Sequence, residues 1–272
     1  MVSSIRELIA SHPKGTGDSD ARANGWGEEL SPEWRQLVTQ IVQCCRCPRL
    51  VDWRKQVARD KRPAYRHWDY WGRPVPGFGD RQARLLIVGL APGAHGSNRT
   101  GRMFTGDSSG DTLYAALYRA GFANQPYATH PDDGLMLYDA FITAIVRCAP
   151  PANRPTRDEI AACSPFLARE WQLLPRTRVV LALGQLAFVT SLGLLKRLGY
   201  HVPRPRFAHA LHCLLEPHDT DTPIHLIASY HPSRQNTQTG RLTPQMLDAV
   251  LHQARAVLED GQAVGETRES DM

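Results

Sequence analysis

Long hydrophobic runs are absent from this sequence of 272 residues. No segment reaches the roughly 18 consecutive apolar residues that a membrane-spanning helix needs, so we expect no membrane segment. The opening stretch MVSSIRELIASHPKG lacks the basic and then apolar pattern of a secretion signal. We therefore expect a cytoplasmic protein that is long enough to bury a substantial core.

Lysine is also scarce. Only four of the 32 basic residues are lysines, which leaves 28 arginines (32 − 4), and the formal net charge is +5. The planar arginine fork suits phosphate, and the positive charge favours an anionic partner. A GC-rich genome would produce the same excess of arginine, so the charge alone does not identify that partner.

The spacing of the six cysteines is more informative than their number. A disulfide framework is not expected in a cytoplasmic protein, because thiols stay reduced there. A C-x-x-C pair and two downstream cysteines form a candidate metal-ligand set: Cys44, Cys47, Cys148 and Cys163. Four thiolates suit either a structural zinc or an iron–sulfur cluster, and spacing alone slightly favours zinc. The other interpretation is a set of buried thiols.

Short apolar runs alternate with helical patterns along the chain. The runs predict buried strands at 84–90, 141–146, 179–184 and 225–229. The clearest helices are expected at 110–122, 156–174, 185–198 and 243–258. This alternation predicts a single α/β domain with a mostly parallel central sheet and helices on both faces. We place that domain at 30–258, between a flexible N-terminal segment (1–29) and a flexible acidic tail (259–272).

A long glycine-rich loop, GLAPGAHGSNRTGRMFTGDSSG at 89–110, follows the first predicted strand. Glycines allow close approach of a ligand, and the start of the next helix offers free N–H groups, so a phosphate loop is one interpretation. The loop is not a G-x-x-x-x-G-K-S/T sequence and lacks the lysine that a nucleoside triphosphatase needs.

This loop resembles the first motif of the family 5 uracil-DNA glycosylases. The stretch ASYHPSRQNTQTG at 228–240 resembles the second motif of that family, and TAIVRCAPPANRP at 143–155 also matches. The resemblance covers most of residues 40–250. It implies a three-layer α/β/α glycosylase fold, a DNA substrate and a [4Fe–4S] cluster on the four cysteines, and so it reverses the preference for zinc.

The resemblance implies three catalytic residues. Asp107 would orient the attacking water or stabilise the positive sugar, and His231 would donate to the departing base. Asn153 would position water or contact the base edge. Simpler interpretations are a helix cap for Asp107 and a turn residue for Asn153.

Four residues are candidates for contact with the flipped base: Gly93, Ala94, Phe104 and Ala144. Phe104 would stack on the base. The commoner uracil-DNA glycosylases have a polar residue where this chain has Ala94 and His95, and a uracil-reading Asn where it has Ala144. A pocket without a bidentate amide rejects other bases weakly, so we expect hypoxanthine and xanthine to be cut alongside uracil.

A polar segment after the second motif is the candidate DNA contact. Its members are Ser233, Arg234, Gln235, Asn236 and Arg241. Such a segment can fill the gap left by a flipped base and touch phosphates, although it could also be an ordinary solvated loop. Two alternative functions remain open at this point: a non-catalytic iron–sulfur DNA-binding protein and a zinc-stabilised hydrolase of nucleotides. A monomer is the default expectation.

Overall fold

The computed structural model describes residues 30–218 and 222–269. The predicted flexible segment 1–29 lies outside the described residues. The strands are β1 (Phe78–Gly79), β2 (Leu85–Gly89), β3 (Ala140–Ala144), β4 (Val179–Leu183), β5 (His212–Leu215) and β6 (Ile224–Ser229). The helices are α1 (Pro32–Val42), α2 (Pro48–Asp60), α3 (Ser97–Thr100), α4 (Ser108–Arg119), α5 (Arg157–Gln172), α6 (Gln185–Arg197), α7 (Arg234–Gln238) and α8 (Pro244–Glu269). Short 3-10 turns occur at Pro63–Tyr65 and Pro151–Asn153.

The strands form one mixed sheet in the order β1-β3-β2-β4-β6-β5. The four inner strands are parallel, and the two edge strands run antiparallel to their neighbours. In β2, β3 and β4 every residue is buried, as expected for strands that are covered on both faces. This arrangement confirms the predicted mostly parallel sheet.

Alternate residues of the inner strands pack into two separate cores. Leu85 and Ile87 of β2 belong to one core, and Leu86 and Val88 belong to the other. The first core includes side chains of α4 and α8, and the second includes side chains of α1, α2, α5 and α6. Helices therefore cover both faces, which confirms the three-layer prediction.

The predicted elements differ from the observed ones mainly at their ends. All four predicted strands and all four predicted helices are present, with boundaries shifted by a few residues. The last helix continues to Glu269, so the break that was expected at 258 is absent and most of the predicted tail is helical. Residues 270–272 lie outside the described residues. None of the described helices is both long and apolar enough to span a membrane.

The glycine-rich loop is anchored to the body by a buried ion pair. The Arg102 guanidinium donates to both carboxylate oxygens of Asp133 at 2.7 and 2.8 Å, and the two side chains are only 1% and 8% exposed. Arg102 also donates to the Thr105 hydroxyl and to the Pro131 carbonyl. Burial alone would raise the pKa of Asp133, but the hydrogen bonds and charge of Arg102 hold it below its usual value.

We expect Asp133→Ala to lower the free energy of unfolding by about 3–5 kcal/mol, because Arg102 would remain buried without its counter-charge. Asp248→Ala is the matched control. It removes the partner of the half-exposed Arg119 and is expected to cost about 0–1 kcal/mol. Urea unfolding of both variants measures the difference, and equal losses would contradict the assignment of Arg102–Asp133 as the anchor.

Candidate active site

A cleft of about 640 Å³ lies beyond the carboxyl ends of the parallel strands. Register places Gly89 opposite Ala144 and Leu183 opposite Ser229, so the inner strands end at a common edge. The loops after β2, β3 and β6 and the first turn of α4 line the cleft. This is where ligands bind in open α/β sheets.

The two carboxylate oxygens of Asp107 have different surroundings. As the N-cap of α4, its Oδ1 accepts hydrogen bonds from the backbone N–H groups of Ser109 and Gly110 at 3.0 and 3.2 Å. Its Oδ2 lies against Gly93 and Gly96, where an added Cβ would overlap it. The capping interpretation is therefore confirmed for Oδ1, and Oδ2 remains at the cleft wall. Burial raises the pKa of Asp107, while the two backbone donors and the Arg99 charge oppose that rise.

Phe104 is buried in a backbone conformation that side chains rarely adopt. Its φ is +52°, which costs free energy for a residue other than glycine. Its ring stacks on the His231 ring with 5.9 Å between centroids and packs against Gly89, where a Cβ would lie 2.8 Å from the ring. The adjoining Met103 carbonyl accepts a hydrogen bond from the Tyr114 hydroxyl at 2.8 Å. These contacts hold Phe104 in the strained backbone conformation. In that conformation Phe104 lines the cleft.

His231 lies in the loop after β6, and its ring is largely buried. Burial lowers its pKa to about 4, so the imidazole is neutral at neutral pH. A neutral imidazole can still donate one ring N–H to a ligand. The Asn236 side-chain amide donates to the His231 carbonyl at 2.9 Å and so fixes this loop.

Asn153 sits in the 3-10 turn that follows β3. Ala152 and Asn153 both have positive φ, at 52° and 54°. The Asn153 side chain is exposed, lines the cleft and has no hydrogen-bond partner in the described part of the chain. Its amide is therefore available to a ligand. Asn153 is a turn residue, as the simpler interpretation expected, and it also lines the cleft.

Three of the four predicted base-contacting residues, Gly93, Ala94 and Phe104, line the cleft. Ala144 does not: it is 1% exposed at the end of β3, opposite Gly89 of β2. Its side chain packs in the same buried core as Phe104 and is not part of the cleft wall.

Three of the five predicted DNA-contacting residues, Ser233, Arg234 and Gln235, line the cleft. The Ser233 hydroxyl caps α7 through the Asn236 N–H. The Asn236 amide is engaged by the His231 carbonyl, and Arg241 lies over the Tyr230 ring at 4.7 Å. Of the three that line the cleft, Arg234 and Gln235 are exposed and Ser233 is half-buried.

His95 is a cleft residue to which sequence analysis gave no role. The Tyr70 hydroxyl and His95 Nδ1 form a hydrogen bond of 3.1 Å. Burial lowers the pKa of His95, and the charges of Arg62 and Arg99 act in the same direction. The signal in the sequence was its position inside the glycine-rich loop, next to the candidate Ala94. Arg62, which also lines the cleft, lies outside every motif and gave no such signal.

The four predicted metal-ligating cysteines line a second depression. Its cavity volume is about 20 Å³, far smaller than that of the cleft. Cys44 and Cys47 lie between α1 and α2, Cys148 follows β3, and Cys163 lies in α5. No group of three His, Cys, Asp or Glu side chains in residues 30–218 and 222–269 could hold a single metal ion. The thiols are thus gathered around one space without converging on one point.

The electrostatics of this depression are unfavourable for thiolates alone. Burial raises the pKa of Cys148 to about 12, and burial also raises the pKa of Cys47 and of Cys163. The Cys163 sulfur accepts a hydrogen bond from the Arg147 N–H at 3.3 Å. Without a cationic centre these three thiols stay protonated at neutral pH, because their desolvation outweighs the nearby positive charges.

The fold and the cleft together define a three-layer α/β protein with its ligand site at the carboxyl edge of the sheet. The family profile "Uracil DNA glycosylase superfamily" matches residues 76–255. The chain belongs to that superfamily.

Relatives that bear a functional name are similar over most of their length. The "Type-5 uracil-DNA glycosylase" of Mycobacterium leprae is 52% identical over 222 residues, which are 81% of this chain and 93% of that protein. The one from Thermus thermophilus is 50% identical, over 81% of this chain and 97% of that protein. A third, from Pyrobaculum aerophilum, is 45% identical over 85% and 93% respectively.

The burial of His231 predicts a pH-dependent stability. Its folded-state pKa lies below the ordinary value, so the unfolded chain takes up the proton more readily. We therefore expect this residue to reduce the free energy of unfolding as the pH falls from about 6.5 towards 4. His231→Gln removes that term, so the difference between wild type and variant shifts with pH across this window. A difference that stays constant from pH 7 to pH 4 would contradict the burial of the neutral ring.

Proposed function

We propose that this protein is a DNA repair glycosylase that hydrolyses the N-glycosidic bond of uracil in DNA and leaves an abasic site. The observation that carries the proposal is that Asp107, Asn153 and His231 come from three different loops and line one cleft. The relatives named Type-5 uracil-DNA glycosylase support the same activity.

The cleft suits an extrahelical nucleotide. A glycosylase must take its target base out of the stack and hold it in a pocket, where an aromatic ring can cover one face. Phe104 provides that ring at the cleft wall. Its packing on His231 and Gly89 means that the ring is in place before the base arrives.

Asp107 and His231 suit the two charges that develop as the bond breaks. The sugar becomes positive and the departing base becomes negative, so groups that bind these charges stabilise the transition state most. The Oδ2 of Asp107, which accepts no hydrogen bond from the described residues, would stabilise the sugar or accept a proton from the attacking water. The neutral His231 would donate a hydrogen bond to the base oxygen, and this bond would strengthen as the oxygen becomes negative. Asn153 would bind the water or the base edge through its free amide.

The same proposal includes a tolerant base pocket. Ala94 offers no polar side-chain group to the cleft, and Ala144 is a buried apolar residue that does not line it. Strong rejection of a wrong base arises from buried polar groups that it leaves unpaired, and these two side chains supply none. Hypoxanthine and xanthine would therefore be removed as well. The rim residues Arg234 and Gln235 would contact the DNA backbone next to the flipped nucleotide.

We also propose that the four cysteines hold a [4Fe–4S] cluster. Four thiol ligands match the donor set of such a cluster, and a cubane is wider than one ion, which fits thiols that surround a space. When bound, the cluster would supply a rigid cross-link between the α1–α2 connection, the segment after β3 and α5. The segment after β3 also carries Asn153, so this link would steady one catalytic loop.

The activity is tested with duplexes that contain a single uracil, hypoxanthine or xanthine, followed by alkaline cleavage at abasic sites. Wild-type protein is expected to cut all three. Asp107→Ala should slow uracil removal by roughly 10²–10⁴-fold and His231→Ala by roughly 10²–10³-fold. Asn153→Ala should reduce the rate in the same direction.

Arg119→Lys serves as the control for these variants, because Arg119 pairs with Asp248 at the surface and does not line the cleft. Its rate is expected to match wild type. No cleavage of any substrate by cluster-loaded wild-type protein would overturn the enzymatic proposal. Cleavage of uracil alone would overturn only the tolerant pocket.

The cluster is tested by iron, sulfide and zinc analysis and by visible absorption of anaerobically purified protein. Wild type should be brown, and Cys148→Ser should lose colour and iron. Cys45→Ser is the matched control, because Cys45 is exposed and does not line the depression. A colourless protein with one zinc and no iron would contradict the cluster.

A further inference from the structure

We propose that Arg99 is a positioning residue for the reaction: its guanidinium joins two parts of the glycine-rich loop and thereby fixes Asp107. Arg99 lies in α3, inside that loop, and its side chain does not line the cleft. It therefore acts on the reaction only through other residues. The inference rests on the glycosylase function proposed above.

Arg99 is clamped between two aromatic rings. It is 3% exposed, and its guanidinium carbon lies 4.0 Å from the ring centroid of Tyr65 and 4.0 Å from that of Trp68. Both rings belong to the segment between α2 and β1, which also donates backbone hydrogen bonds to the Arg99 and Asn98 carbonyls. Cation–π contacts with two rings leave the planar group its edges for hydrogen bonding, so its orientation is fixed.

The edges of the guanidinium hold two distant carbonyls of the loop. Nε donates to the His95 carbonyl at 2.7 Å, and Nη2 donates to the Gly106 carbonyl at 2.8 Å. The His95 carbonyl is near the start of the loop. The Gly106 carbonyl belongs to the peptide bond that leads into Asp107. One rigid fork thus sets the separation between the beginning of the loop and the catalytic carboxylate.

The backbone around Gly106 is shaped for this fork. Its φ is +82°, and a Cβ at this position would overlap the Arg99 guanidinium. On the other side, Gly93 and Gly96 allow the loop to reach Asp107 Oδ2. The carboxylate is therefore enclosed by the two segments that Arg99 connects. A lysine would keep the charge but could not place two donors in one plane.

Arg99 also affects the ionisation of Asp107. Burial raises the pKa of Asp107, and the Arg99 charge opposes that rise. The other titratable groups that interact with this carboxylate are Asp111 and Tyr114, both on α4. Neither supplies positive charge, so Arg99 is the cation in the described chain that, together with the Gly110 and Ser109 N–H donors, opposes the rise in the pKa of Asp107.

The experiment compares single-turnover uracil removal by wild type, Arg99→Lys and Arg99→Met over a range of pH, with DNA affinity measured separately. Arg99→Lys should lose roughly 10²-fold in rate with little change in DNA affinity, because a small displacement of a catalytic group has an effect of this size. Its acidic limb should remain near that of wild type. Arg99→Met should lose rate and move the acidic limb to higher pH, because the charge is gone.

The matched control is Arg255→Lys. Arg255 also lies over an aromatic ring, 3.7 Å from the centroid of Phe122, and donates to the Ala120 carbonyl at 2.9 Å, but it is away from the cleft. This variant should keep the wild-type rate and pH profile even if its Tm falls. The proposal is overturned if Arg99→Lys cleaves at the wild-type rate, or if Arg99→Lys and Arg255→Lys lose rate in equal proportion.

A second measurement does not depend on cleavage. The pKa of Asp107 is followed by carbon-13 NMR of its carboxyl, assigned with Asp107→Asn, in wild type and in Arg99→Lys. If Arg99→Met does not fold, the lysine variant still reports a changed chemical environment for Asp107. An unchanged Asp107 carboxyl chemical shift in Arg99→Lys overturns the positioning role. Wild-type protein without glycosylase activity but with an Arg99-dependent Asp107 signal would instead overturn only the proposed function.

Discussion

The enclosure of one carboxylate is the constraint on which the cleft depends. Asp107 caps α4 with one oxygen and presses the other against backbone at Gly93 and Gly96, so the loop can close only where side chains are missing. Helix α4 and the loop after β2 are thereby fixed to each other. The strained backbone of Phe104 lies within the same closed loop. A cap, a set of glycines and a strained aromatic residue are thus parts of one arrangement.

Burial has opposite effects on Asp107 and His231 in this cleft, and both effects serve the proposed chemistry. It raises the pKa of Asp107 and lowers that of His231. Backbone donors and Arg99 favour the negative charge of the carboxylate, whereas the shift of the imidazole comes from burial. The cleft thus holds a carboxylate whose charge is favoured by fixed donors and an imidazole that is neutral, and fixed dipoles and charges act strongly where water is partly excluded.

Elements with a strong local pattern were predictable, and elements that depend on packing were not. The inner strands are continuous apolar runs, so their existence followed from the sequence. Strand β1 has two residues, and β5 alternates between exposed and buried positions at the edge, so neither presents such a run. Helix α1 had a detectable signal in Ser31 followed by Pro32, a cap and a first-turn proline.

The sequence by itself determined the three-layer α/β fold and the identities of the motif residues, because buried strands and glycine-rich turns leave local patterns. It also placed Asp107 and His231 after strand ends, where parallel topology brings loops together. Only the tertiary structure decided that Asn236 supports the His231 loop, that Ala144 is buried outside the cleft wall and that Arg99 joins two ends of one loop. The reason is physical: these roles depend on which donor meets which carbonyl after packing, and a residue's type does not specify its partner.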